Sequence, residues 1–199
     1  MDKVLTFRVE IDGLENKICR KLEITDRRTV ADLAYTILAS FNSLAYHLYD
    51  IVYKNNWYDC WVCTENYFGD EKLVDATIAK LKSLKLKKND KMVMEYDFGS
   101  TNTFIITYLE EREFKTSEYG YYPYITEGSG AGMLDDISSY ELKRIVDDID
   151  EKGYSEYHYT PGYETRKKYD YRKYDIKKDN KSLKGMILEI KNGYEVSDE

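Results

Sequence analysis

Two runs of alternating apolar and polar residues, KVLTFRVEID and ICRKLEIT, are separated only by the turn-forming DGLEN and followed at once by TVADLAYTILASF. A period of two predicts two strands in a tight hairpin, because successive side chains of a strand point to opposite faces. In the third run Val30, Leu33, Ala34, Ile37, Leu38 and Phe41 recur at helical spacing. That is one apolar stripe on an α-helix, with Asp26 and Thr29 upstream as candidate caps. Such a hairpin folded against a helix makes the expected fold class α+β.

The opening is similar in topology to β-grasp-like domains, which says nothing about function. YHLYDIVYK and NWYDCWVC predict a second hairpin, with Lys54-Asn55-Asn56 at its corner. Between Phe68 and Asn89 the spacing of Leu73, Val74, Ile78, Leu81 and Leu84 predicts one short helix. KMVMEY and TFIITYLEE then predict a further antiparallel hairpin turning near Gly99, with that glycine at positive φ. YGYYPYITEGSGAGMLDD reads as a long loop. In DDISSYELKRIVDDI, Ile137, Leu142, Ile145, Val146 and Ile149 form the apolar side of a helix that Asp135 and Asp136 would start. Including the mixed piece KGMILEIKNGYE, one or two C-terminal helices are expected. The chain reads as a single domain over 1–184, with 185–199 as a C-terminal extension.

Composition narrows the setting. No apolar run is long enough to span a bilayer and no basic leader precedes an apolar segment near Met1, so neither a membrane span nor a secretory signal is expected. Three cysteines without a signal peptide point to a reducing compartment, most simply the cytoplasm. A formal charge of −7 opposes binding to a phosphate backbone except through a local patch. The 21 tyrosines suit half-buried strand positions, where a ring packs and its hydroxyl stays wet.

Several short motifs invite a chemical reading. Asp97-Phe98-Gly99 matches the magnesium-binding tripeptide of kinases, but the glycine-rich loop, strand lysine and upstream catalytic loop that chemistry needs are missing, which leaves a tight turn. GSGAG, Gly128 to Gly132, lacks the spacing and lysine of a phosphate cradle, and aspartates follow it. Cys60 and Cys63 have C-x-x-C spacing, but within a strand they would face opposite ways, and zinc would need two further ligands. Between Glu151 and Lys184, ten Lys or Arg stand against six Asp or Glu, a local +4. Within that stretch Arg166, Lys167, Lys168, Arg172 and Lys173 interleave with Tyr163, Tyr169, Tyr171 and Tyr174, the ingredients of a surface for single-stranded nucleic acid, diluted by Asp170, Asp175 and Asp179. Finally His47, Asp97, Glu127, Asp135 and Asp136 could line one pocket if the fold gathered them. Local capping and turn roles explain each separately, so the expectation is scattered scaffolding carboxylates and no metal or cofactor.

Several of these pieces fall in one order: His47-Leu48-Tyr49 after the first helix, Tyr96-Asp97-Phe98-Gly99 after a hydrophobic strand, Pro123, Gly128 and Gly130 ahead of Asp135-Asp136, and Tyr174-Asp175-Ile176 with Asn180 and Leu183 downstream. Over roughly residues 4 to 184 the chain resembles the plasmid pRiA open-reading-frame-three-like family, sometimes labelled as a TnpR-like, resolvase-like passenger of insertion sequences. The resemblance implies an α+β fold and an association with plasmids or other mobile elements, and it brings no established activity. Where the family continues its turn with Asp-x-Trp-x-His, this chain has Ser100, Asn102 and Phe104. Ser138-Ser139 replaces the family's paired glycines. The reading from sequence is therefore a binding or interaction domain without catalysis, with a protein partner favoured. Its alternatives are nucleic-acid binding through 163–178 and a degenerate metal-dependent enzyme using His47, Asp97, Asp135 and Asp136.

Overall fold

Inward-facing apolar side chains on every second residue of β1 (Lys3–Ile11) and β2 (Cys19–Thr25) need a cover, and α1 (Val30–Ser40) supplies it. In this computed structural model, which describes residues 2–60, 72–118, 120, 123–159 and 167–195, the hairpin and helix lie where the sequence places them. Thr29 caps α1 in a reciprocal box, accepting from the Asp32 amide while Asp32 accepts from its own, and Asp26 instead accepts from the Lys3 amide. All eleven residues of α1 are buried, beyond the stripe that periodicity marks. Its second face is covered by α3 (Ile176–Glu195), where Tyr194 stacks on Tyr35 and meets Tyr49 edge-on. Helix α3 crosses residues 184 and 185 without a break, and both Leu183 and Ile190 are buried, so the expected boundary before the extension falls inside a packed helix.

The remaining strands are β3 (Tyr49–Tyr53), β4 (Asn56–Asp59), β5 (Lys72–Asp75), β6 (Lys91–Tyr96), β7 (Asn102–Glu113) and β8 (Tyr124–Ser129). They complete an eight-stranded sheet in the order β5-β4-β3-β6-β7-β1-β2-β8, antiparallel except between β4 and β5. The fold is thus α+β, as expected. Helix α2 (Ser139–Lys152) closes the end of the sheet that carries the β1–β2 and β6–β7 turns, with the Thr103 amide donating to Ser139 Oγ. A two-residue pairing of β9 (His158–Tyr159) with β10 (Lys167–Lys168) precedes α3.

Four local expectations are corrected. The helix read into 73–84 is β5 followed by a 3-10 turn at Leu81–Leu84. The carbonyls of Ala76 and Ala79 accept from the Ala31 and Val30 amides, so this backbone satisfies the start of α1 and does not continue a helix of its own. The long loop contains β8, paired with β2. The β6–β7 turn places Asp97 (φ 58°) and Thr101 (φ 59°) in the left-handed region, and Gly99 is not there. Helix α2 starts three residues after Asp136, capped by Ser138 and Glu141, which frees both aspartates from its terminus.

One strand position is electrostatically costly. Asp50 of β3 lies directly opposite Asp59 on one side and Glu95 on the other, is 6% exposed, and leaves Oδ1 without a partner. Burial first, then the neighbouring carboxylates, pushes its pKa up to about 6. A folded value above the unfolded value of about 3.9 means that ionisation weakens the fold, so stability is lost as pH rises from about 4 through about 6. Asp50→Asn should therefore raise stability by about 2–3 kcal/mol at pH 7.5 and by almost nothing near pH 4, as read by urea melts at the two pH values.

Candidate functional site

The chain leaves α1 through two left-handed residues, Asn42 (φ 58°) and Ala45 (φ 55°), and brings His47 to the end of the sheet. The Asp97 amide donates to the Leu48 carbonyl, which ties the β6–β7 turn to this segment. The loop between β8 and α2 docks on the end of α1 through the Met133 amide and the Phe41 carbonyl, and delivers Asp136, itself at φ 62°. His47, Asp97 and Asp136 thereby converge, each offering one ligand atom, and the three atoms lie within 4.8 Å of one another. The expectation that these acids stay scattered is overturned for this set, because the strand order places three chain-distant turns at one end of the sheet.

His47 Nε2 is 2.9 Å from Asp136 Oδ1 and 3.6 Å from Asp97 Oδ2. At 2.9 Å Nε2–H donates to Asp136 Oδ1, and because donors bound to one ion at about 2.1 Å sit about 3.0–3.4 Å apart, an ion taking the place of that proton would draw the three atoms together by about an ångström. Each carboxylate is held by its other oxygen. Asp97 Oδ1 accepts from the Gly99 and Ser100 amides at 3.2 and 3.4 Å, and Asp136 Oδ2 accepts from the Tyr46 hydroxyl at 2.6 Å. The Tyr46 hydrogen bond, followed by His47, holds the Asp136 carboxyl below its ordinary range. The His47 ring packs against Tyr46 at 4.4 Å and edge-on against Tyr96 at 5.7 Å. Asp97 is buried, His47 half-buried and Asp136 exposed. Two of the three donors occupy left-handed backbone, a conformation of non-glycine residues that gathers at functional sites.

Asp135 faces the other way. Its oxygens accept from the Ser43 and Tyr96 hydroxyls at 2.7 and 3.0 Å and from the Leu44 amide at 2.9 Å, which locks the loop that carries Asp136. Glu127 lies apart on β8, exposed and paired with Lys21 at 2.9 Å. Tyr46 is the member that sequence reasoning passed over; only its place beside His47 marks it. Phe104, at the position where the family resemblance has an imidazole, packs in the core against Phe41, so the three donors come from motif positions this chain keeps. Gly128 and Gly132, candidates for a phosphate cradle, are packing glycines: a side chain would meet the Tyr174 hydroxyl at the first and the Phe41 carbonyl at the second.

The cysteine and basic motifs are also placed. Cys60 is a free, buried thiol whose pKa burial pushes up to about 12, an inert environment, and Cys63 lies outside the described residues. Arg166 and Tyr163 lie outside them too, and Lys167 stands in β10. Tyr169 is buried, with its hydroxyl donating to the Gly132 carbonyl, and the Tyr171 hydroxyl donates to Asp150. Arg172 clamps Asp170 at 2.8 Å, Lys168 approaches Glu156 at 3.6 Å, and Lys173 comes no nearer than 4.0 Å to Asp170. Tyr169, Tyr171 and Arg172 dock this segment onto α2 and the β8–α2 loop, and the Tyr174 ring packs on the Arg20 guanidinium, which turns these rings toward the protein and away from bases.

A cavity of about 850 Å³ opens beside the triad and shares Tyr46 and Asp136 with it. Its walls come from the β8–α2 loop, β9 and the start of α3. Among the described residues no helix is long and apolar enough to cross a membrane.

The fold is similar to that of a solved protein of unknown function, MM3350 from Methanosarcina mazei Go1, with a TM-score of 0.66 and 20% identity over 89% of this chain and 98% of that one. At that identity the likeness concerns the fold. No curated protein matches. The sequence pattern of the plasmid pRiA4b ORF-3-like protein family matches residues 3–178, a span that contains all three converging donors and the Tyr96-Asp97-Phe98-Gly99 turn, and the chain belongs to that family.

Proposed function

We propose that this chain is a divalent-cation-binding domain whose His47, Asp97 and Asp136 hold one ion at the mouth of the cavity. The observation that carries this reading is the division of labour within each carboxylate: one oxygen is fixed by protein donors and the other is turned toward His47 Nε2. One nitrogen and two oxygens suit Zn²⁺ or Mn²⁺, and three protein ligands leave coordination positions for water and a bound molecule. An ion held there supplies a Lewis acid facing the cavity, so the role is ligand capture, with metal-assisted chemistry on the captured ligand as its enzymatic extension. A reducing, cytoplasmic setting belongs to the same reading, supported by free thiols at Cys19 and Cys60. So does a plasmid or insertion-sequence context, which rests on the family alone.

Calorimetric titration with Mn²⁺ or Zn²⁺ tests the site. One ion should bind per chain, and His47→Ala or Asp97→Asn should weaken it by at least about tenfold, while Glu127→Gln leaves it unchanged. Equal affinity in all four proteins would end the proposal.

A further inference from the structure

Three of the four aspartates on the cavity lining are already engaged. Asp135 is held by Ser43, Leu44 and Tyr96. Asp175 accepts from the Lys177 and Lys178 amides at the start of α3, whereas Asp179 lies 4.0 Å from the Arg20 guanidinium with its Oδ2 lacking a hydrogen-bond partner among the described residues. Asp136 belongs to the triad. Two lysines on the same lining are far less committed: Lys173 is exposed with only Asp170 at 4.0 Å, and Lys178 is exposed with no carboxylate within ion-pair distance among the described residues. His158, also on the wall, donates Nδ1–H to the Glu156 carbonyl at 2.8 Å, which fixes the tautomer and leaves Nε2 as an acceptor. Rings of Tyr46, Tyr157 and Tyr174 give the cavity aromatic walls.

Resting on the divalent-cation reading above, we infer that this cavity takes an organic phosphate with a flat aromatic head, its phosphate completing the coordination of the ion and reaching Lys178 and Lys173. Phosphate oxygens are the usual companions of a carboxylate-held ion, and lysine serves them as a point charge. A volume of about 850 Å³ holds a molecule of nucleotide size. The tyrosine walls suit stacking of a flat ring, and His158 Nε2 accepts from a hydroxyl or amino group on the ligand.

The experiment uses the full chain with and without Mn²⁺, titrated with AMP, adenosine, ribose 5-phosphate and inorganic phosphate. AMP should bind in the presence of Mn²⁺, with each of the other three at least about tenfold weaker. Lys178→Gln should weaken AMP about tenfold without changing the affinity of the ligand-free protein for Mn²⁺. If Mn²⁺ binds and AMP does not, or if Lys178→Gln leaves AMP binding intact, the phosphate inference is overturned and the cation reading stands. Should inorganic phosphate bind as tightly as AMP, the aromatic head is wrong. Failure of Mn²⁺ to bind overturns the triad itself and this inference with it.

Discussion

Gly132→Ala is expected to cost more than about 4 kcal/mol, a large share of the stability of an ordinary domain, and to lower the yield of folded protein sharply. A Cβ at this position would lie 1.8 Å from the Phe41 carbonyl oxygen and 2.5 Å from its carbon. Those are backbone atoms at the end of buried α1, so no side-chain rotation relieves the overlap. The same carbonyl accepts from the Met133 amide, and the Gly132 carbonyl accepts from Tyr169. Pushing the loop away therefore breaks two buried hydrogen bonds and displaces Asp135 and Asp136. Any fraction that still folds should have lost its cation affinity, because Asp136 reaches His47 only from the docked loop. Gly185→Ala and Gly193→Ala are the controls of opposite sign. Both glycines lie inside α3, where an added methyl would meet nothing within 4 Å, and each change should stabilise by about 0.5–1 kcal/mol. Urea melts of the three variants decide the matter, and a Gly132→Ala protein within about 1 kcal/mol of the parent would refute the close approach.

The same loop shows where sequence reasoning reaches its limit. Helix α1 and the β1–β2, β3–β4 and β6–β7 hairpins were legible because their periods are local and their apolar phases face one core. Strand β8 was not, since Ile125 is its one fully buried apolar residue and two of its last positions are Glu127 and Gly128. It is a strand because β2 has a free edge there. Strand β5 pairs with β4 in parallel, a non-local choice that the spacing of Leu73 and Val74 cannot announce. The triad has the same cause. His47, Asp97 and Asp136 sit on three turns, and each shows a satisfactory local role when read alone. Their meeting depends on the order of strands in the sheet, which no window of sequence contains. The start of α2 was misplaced because Asp135 and Asp136 are good capping residues, yet Ser138 with Glu141 three residues on makes the stronger box.

One site was readable and was passed over. In the strand CRKLEIT the phase that places Leu22 and Ile24 inward also places Arg20 inward, a charge where a core residue is expected. Arg20 is fully buried. Nε donates to the Ser40 carbonyl at 2.9 Å, and Nη1 donates to the Cys19 and Ser129 carbonyls at 2.8 Å. The guanidinium lies between Tyr174 and Phe41, 4.0 and 4.8 Å from their ring centroids. Asp179 lies 4.0 Å away, and burial lowers the Arg20 pKa and raises that of Asp179, as expected for charges taken out of water. This one side chain joins the end of α1, the β2–β8 pair and the start of α3, the last of which also walls the cavity. Arg20→Ala should therefore cost about 3–5 kcal/mol, because three carbonyls lose a donor and the half-buried Asp179 loses its neighbouring positive charge at once. Arg20→Lys should recover little of it, since an ammonium cannot present a planar fork to three carbonyls between two rings. Asp179→Asn in the Arg20→Ala background should restore part of the loss by removing the stranded charge, a coupling that a double-mutant cycle in urea reads directly. Additive losses across that cycle would show that Arg20 and Asp179 act independently, and a single-variant cost below about 1 kcal/mol would show that the guanidinium is no linchpin of the fold.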